Sequence, residues 1–98
     1  MESQLLVGQK ITDEDQNLIE VVIWSVRISH KYPQGVRFRL AFIPKGKDKP
    51  AVLFDNHYPK GPHQHVGINE IDYEFYNIHQ LLMDFKHGIE YWKGNWRV

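Results

Sequence analysis

The chain is predicted to form an α+β domain, an antiparallel meander of four to five strands packed by one C-terminal helix. Three observations carry this expectation. Leu18 to Arg27 (LIEVVIWSVR) is a β-branched run with a tryptophan, too short and too valine-rich for a helix. Val36 to Ile43 (VRFRLAFI) alternates residue by residue, the period of a half-buried strand. Helical spacing of three and four is confined to the residues after Asn77.

The elements follow in order. Leu5 to Ile11 is predicted as the first strand, with Thr12-Asp13-Glu14-Asp15-Gln16-Asn17 as its polar connection to the central strand that begins at Leu18. His30-Lys31-Tyr32-Pro33-Gln34-Gly35 is a turn. The next strand places Val36, Phe38, Leu40 and Phe42 on one face and Arg37 and Arg39 on the other, so two guanidinium groups project from the same side. Pro44 to Pro50 is a hairpin loop, and Ala51 to Asp55 returns antiparallel. With that turn centred near Lys47, Leu53 faces Ala41, Asp55 faces Arg39 and His57 faces Arg37. Ile71 to Phe75 is the predicted last strand. Asn77 caps the helix with Gln80 reaching back, and Tyr76 and Leu81 hold the staple positions. Ile78, Leu81, Leu82, Phe85, Ile89 and Trp92 form the face that covers the sheet. Gly88 either ends the helix early or weakens it, with Gly94 as the alternative stop. Tyr91, Trp92 and Trp96 read as core or as a docking surface.

At 98 residues the chain is sized for one domain spanning its whole length. A hydrophobic fraction of 42% with 13% aromatic residues favours a folded globule over disorder. No run approaches the roughly 18 apolar residues of a membrane span, and Met1-Glu2-Ser3-Gln4 lacks the basic-then-apolar pattern of a leader, so a cytoplasmic protein without membrane contact is expected. The absence of cysteine excludes a disulfide framework, a thiolate nucleophile and a zinc–thiolate site. Net charge is zero, but it is unevenly spread. Between Arg27 and His65 eight Lys or Arg face only Asp48 and Asp55, a balance of +6, against −4 before this segment and −2 after it. A basic centre attracts phosphate, while acidic flanks limit indiscriminate binding.

Chemistry-bearing residues concentrate between Phe54 and Gly67. Asp55, His57, Lys60, His63 and His65 stand there among Pro59, Gly61, Pro62 and Gly67. Imidazole exchanges protons near neutral pH, lysine supplies fixed positive charge, and Pro and Gly shape a loop. His63 and His65, two apart, share a face in any extended backbone. The ordinary alternatives are a turn opened by Asp55-Asn56, arginines that blunt a sheet face, and surface histidines, a description that suits His30, His79 and His87.

Lys31-Tyr32-Pro33-Gln34-Gly35-Val36-Arg37-Phe38-Arg39-Leu40-Ala41-Phe42, then Asp55-Asn56-His57, Lys60-Gly61, His63-Gln64-His65-Val66-Gly67 and Tyr73-Glu74-Phe75, resembles the TumE family of small prokaryotic toxins from about Leu18 to Trp92. Gln64 stands where many members carry a basic residue between the two histidines. The resemblance implies the toxin of a type II toxin–antitoxin pair, partnered by a helix-turn-helix antitoxin, with RNA cleavage the activity first suspected of toxins this small.

Metal-independent RNA cleavage needs a base for the ribose 2′-hydroxyl, an acid for the leaving 5′-oxygen and cations at the phosphorane. The expected endoribonuclease would use His63 and His65 as base and acid in either order, Lys60, Arg37 and Arg39 on the phosphate, and Asp55 to orient a ring or guanidinium. His57 would add to the substrate surface, and Tyr58, Tyr73 and Tyr76 would stack bases. This chemistry calls for no metal and no cofactor. Two alternatives stand beside it. One is a metal-dependent nuclease with His63, His65, His57 and Asp55 as ligands. The other is a non-catalytic module whose basic face grips nucleic acid or an acidic partner. Exposed sheet edges and the tryptophan-rich tail also allow a homodimer.

Overall fold

A computed structural model of the chain describes residues 3–94; Trp96 lies outside them. Six strands run in chain order, β1 (Gln4–Thr12), β2 (Leu18–Ser25), β3 (Val36–Ile43), β4 (Val52–Asp55), β5 (His63–Val66) and β6 (Asn69–Asp72), followed by the helix α1 (Ile78–Lys93). Each strand pairs antiparallel with the next, so spatial order equals chain order and the sheet is an open meander. The count is six rather than four or five. His63–Val66 is a strand of its own, joined to β6 by a two-residue loop in which Gly67 takes φ 64°, the left-handed geometry that a tight hairpin needs at its first loop position. The last strand therefore starts at Asn69 and ends at Asp72, short of the predicted Phe75.

The register of the central hairpin follows the expectation, with Leu53 opposite Ala41 and Asp55 opposite Arg39. It stops one pair early, because His57 has left the ladder. Asn56 takes over there. Its carboxamide is buried at 4% exposure, accepts from the Phe38 amide at 2.8 Å and donates to the Val36 carbonyl at 2.9 Å. One side chain thus supplies the two bonds that a continuing strand would have made.

Strand alternation sorts the sheet into two faces. Val21, Ile23, Phe38, Leu40, Phe42, Val52 and Phe54 lie under the helix and form the core with Leu81 and Phe85. Burying side chains of this size contributes about 1.5–3 kcal/mol each before entropy is counted. The helix starts at Asn77, whose side chain accepts from the Gln80 amide at 2.8 Å, while the Gln80 side chain reaches forward to Asp84 rather than back. Gly88 does not end the helix. It is buried against the sheet, where a Cβ would stand 3.1 Å from Val52 Cγ1, so the missing side chain is what lets the helix lie this close. The helix stops at Gly94, φ 84°, a left-handed C-cap. Leu82, on the predicted face, is exposed, and Trp92 only edges onto Phe42. No helix among the described residues is long and apolar enough to cross a membrane.

The opposite end of the sheet has its own polar tie. Asp13 accepts from the Asp15 and Asn17 amides at 2.9 Å each and from Lys93 at 3.1 Å, while Asn17 accepts from the Lys45 amide at 2.9 Å. The first turn, the central hairpin turn and the helix end are thereby joined.

Two predictions follow from these ties. Asn56→Ala strands a buried N–H and a buried carbonyl, and should lower unfolding free energy by roughly 2–4 kcal/mol, read by denaturant titration. The Asn17 amide, opposed by partial burial and aided by the Asn17 side chain, Lys93 and the Asp15 amide, holds the Asp13 carboxyl down at about 2. A carboxyl lowered by folding stabilises above its ordinary value of 3.8 and loses that contribution as pH falls toward about 2. Melting temperature should therefore drop across that acid window, and Asp13→Asn should flatten this part of the profile.

Candidate functional site

The face of the sheet turned away from the helix gathers most of the residues singled out above. Alternation along β3 puts Arg37 and Arg39 there, and the paired strands add Trp24 and Glu20 from β2, Leu53 and Asp55 from β4, His63 and His65 from β5, and Glu70 and Asp72 from β6. A shallow depression of about 310 Å³ opens between β2, β3 and β4, lined by Val22, Trp24, Arg37, Arg39, Asp55 and His57. Trp24 sits opposite Arg37 across the ladder, an aromatic wall beside an exposed guanidinium. Among the described residues Arg37 has no carboxylate within ion-pair distance, whereas Arg39 reaches Glu20 at 3.4 Å.

Beside the depression lies the histidine pair. The His63 and His65 rings meet edge to face with centroids 5.2 Å apart. His63 is buried, at 7% exposure, and its Nδ1 lies 2.9 Å from the Gly61 carbonyl oxygen. A carbonyl oxygen only accepts, so Nδ1 carries a proton, and in the neutral tautomer this leaves the lone pair at Nε2. His65 is half-buried, with Nε2 3.8 Å from Glu70 Oε1, its cross-strand partner. Lys60, in the loop between β4 and β5, forms an ion pair with the other oxygen of Glu70. That hydrogen bond, against partial burial, lowers the Glu70 carboxyl from its usual value, helped by the Lys60 charge and the two imidazoles.

Several expectations change in detail. Lys60 is engaged by Glu70 rather than free for a phosphate. Among the described residues Asp55 bonds no ring or guanidinium; its Oδ1 accepts from the His57 amide at 2.6 Å and closes the turn that begins the loop. His57 itself is exposed at the rim of the depression. Tyr58 stands apart from the histidine pair, edge-on to His30 and beneath the Lys31 ammonium at 5.3 Å. Tyr73 does not offer a stacking face. It is buried at 8% on the helix side, its ring against Phe54 and Phe38, and its hydroxyl donates to Asp84 at 2.6 Å. Burial first, and then this carboxylate, push the Tyr73 phenol up from its ordinary value. Among the described residues the cluster with metal-ligand spacing is His63, His65 and Glu70, without His57 or Asp55.

Sequence reasoning passed over Trp24 and Glu70. Both had a signal. Trp24 alternates with Val21 and Ile23, which places it off the core face. The Val66-Gly67-Ile68-Asn69 hairpin brings Glu70 opposite His65. No family model, curated protein or solved structure matches the chain.

The Tyr73 hydroxyl can be tested without any assumption about function. Tyr73→Phe should lower stability by about 1.5–3 kcal/mol, the scale of a hydrogen bond to a charged group, in a denaturant titration at neutral pH.

Proposed function

We propose that the open face of the sheet binds single-stranded RNA and cleaves it without a metal, in a chain that acts as the toxin of a toxin–antitoxin pair. The observation that carries the cleavage reading is the convergence on one face of two arginines, an aromatic wall and two touching imidazoles. The toxin reading rests on the resemblance of the loop and strand motifs to TumE toxins, which also supplies a helix-turn-helix antitoxin as partner.

Arg37 meets the phosphate backbone, with Arg39 shared between RNA and Glu20, and Trp24 receives a base on its ring. His63 takes the 2′-hydroxyl proton at Nε2, the nitrogen left basic by the bond to Gly61. The 2′-oxygen forms its bond to phosphorus as the bond to the 5′-oxygen breaks, and His65 returns a proton to that leaving oxygen. The products are a 2′,3′-cyclic phosphate and a 5′-hydroxyl. Glu70 holds the protonated ring of His65 in place, as a carboxylate orients an imidazole in other acid–base pairs. Lys60 contributes through Glu70 rather than on the phosphate.

The test is incubation of wild type, His63→Ala/His65→Ala and Arg37→Ala with total cellular RNA in chelator, followed by analysis of fragment ends. Wild type should cut and leave cyclic phosphates. The histidine variant should lose at least about 100-fold in rate with binding retained, the usual scale of acid–base contributions. Arg37→Ala should weaken binding and reduce its salt dependence by a little under one counterion, about 0.7 for a single strand. Undiminished cutting by the histidine variant would reject the assignment. RNA bound but uncut by wild type would leave a binding module.

A further inference from the structure

We infer that His63, His65 and Glu70 form a binding site for a divalent transition ion of the zinc class, for which Lys60 is the built-in competitor. Their ligand atoms all lie within 4.8 Å of one another. Tetrahedral zinc, with bonds of about 2.0–2.1 Å, sets its ligands about 3.3 Å apart, a contraction within reach of side-chain rotation.

Three features make this more than proximity. The three residues stand on two adjacent strands, His63 and His65 on one face of β5 and Glu70 across from His65 on β6, so the backbone holds the donors in register. His63 is already oriented as a ligand, since metal-binding imidazoles commonly donate their second N–H to a carbonyl, and here Nδ1–H is committed to Gly61 with Nε2 free. Two imidazole nitrogens and one carboxylate suit zinc or its transition-metal neighbours better than magnesium or calcium, which favour all-oxygen sites. Three protein ligands leave a fourth position for water or a substrate oxygen.

The opposing feature is the Lys60 ammonium on Glu70. An incoming ion must displace it, and the long, largely exposed Lys60 side chain can swing to solvent. Such an ion would take the Nε2 lone pair that metal-independent cleavage uses as its base, so the two uses of the pair exclude each other. Binding itself does not depend on the RNA reading.

The experiment titrates zinc alone into the purified full chain by calorimetry, and cobalt(II) alone while recording its visible absorption. Wild type should bind one ion per chain and give the intense cobalt bands of a four-coordinate site. His65→Ala and Glu70→Gln should each weaken binding by at least the roughly 10- to 100-fold typical of a lost supporting contact. Lys60→Met should tighten it several-fold, and His79→Ala should leave it unchanged. Glu70→Gln preserves shape at an exposed position, and circular dichroism of every variant guards against misfolding. Absence of uptake by wild type, an equal loss for His79→Ala and His65→Ala, or undiminished binding by Glu70→Gln would each overturn the site. No RNA is present, so zinc uptake by a chain that leaves RNA intact would uphold the site while rejecting the cleavage reading, and cutting without uptake would do the reverse.

Discussion

The carboxamide of Asn56 is the constraint on which the candidate-site end of the molecule depends. It bonds the Phe38 amide and the Val36 carbonyl, which β4 would otherwise have to pair with its own backbone. Because a side chain satisfies them, β4 can end at Asp55 while β3 keeps an ordered edge back to Val36. The main chain is then free to leave the sheet, run through the loop that carries Lys60, and re-enter as β5. Continuous pairing of β4 would have placed His57 opposite Arg37 and left no room for that excursion. Buried polar groups are costly unless fully paired, and the described residues hold no buried side-chain polar atom without a partner. Asn17 plays a related part at the other end, joining turns that the sheet itself does not connect.

A single helix on a six-stranded sheet divides the labour between faces. The helix side takes the aromatic and aliphatic residues, and Gly88 lets the two layers close. The other side is where charge is cheap, since water still reaches Arg37, Arg39 and Glu70. It is not wholly wet, however. Ala41 is buried between Glu20 and Leu53, its neighbours across the two ladders, so the polar residues stand on a partly apolar floor. Charges on such a floor interact more strongly than on a fully solvated surface.

Much of this was legible in the amino-acid pattern, and the exceptions have physical causes. The ends of β3 and its register with β4 followed from clean alternation and a turn rich in Lys, Gly and Pro, and the helix start followed from Asn77. The fifth and sixth strands were harder, because HQHV and NEID are four residues each and mostly polar, and they are strands only by virtue of pairing to β4 and to each other. Tyr73 misleads for a different reason. It follows a strand among charged residues, as an exposed aromatic would, but the chain crosses to the helix side there and the ring fills the space between Phe38 and Phe54. Glu70 escaped notice because its importance is cross-strand, set by a two-residue hairpin rather than by spacing along the chain.

Glu70 also shows how one carboxylate can decide what the histidine pair does. It faces the Lys60 ammonium and the His65 ring, and its own charge is favoured chiefly by the Lys60 hydrogen bond. While Lys60 holds it, that carboxylate is engaged, and an incoming cation would have to compete for it. Were Lys60 to swing to solvent, Glu70 would be left with His65 alone. The carboxylate would then be free to bond the His65 ring or to join it in holding an ion. Either proposed use of His63 and His65 would therefore have to accommodate the Lys60–Glu70 ion pair.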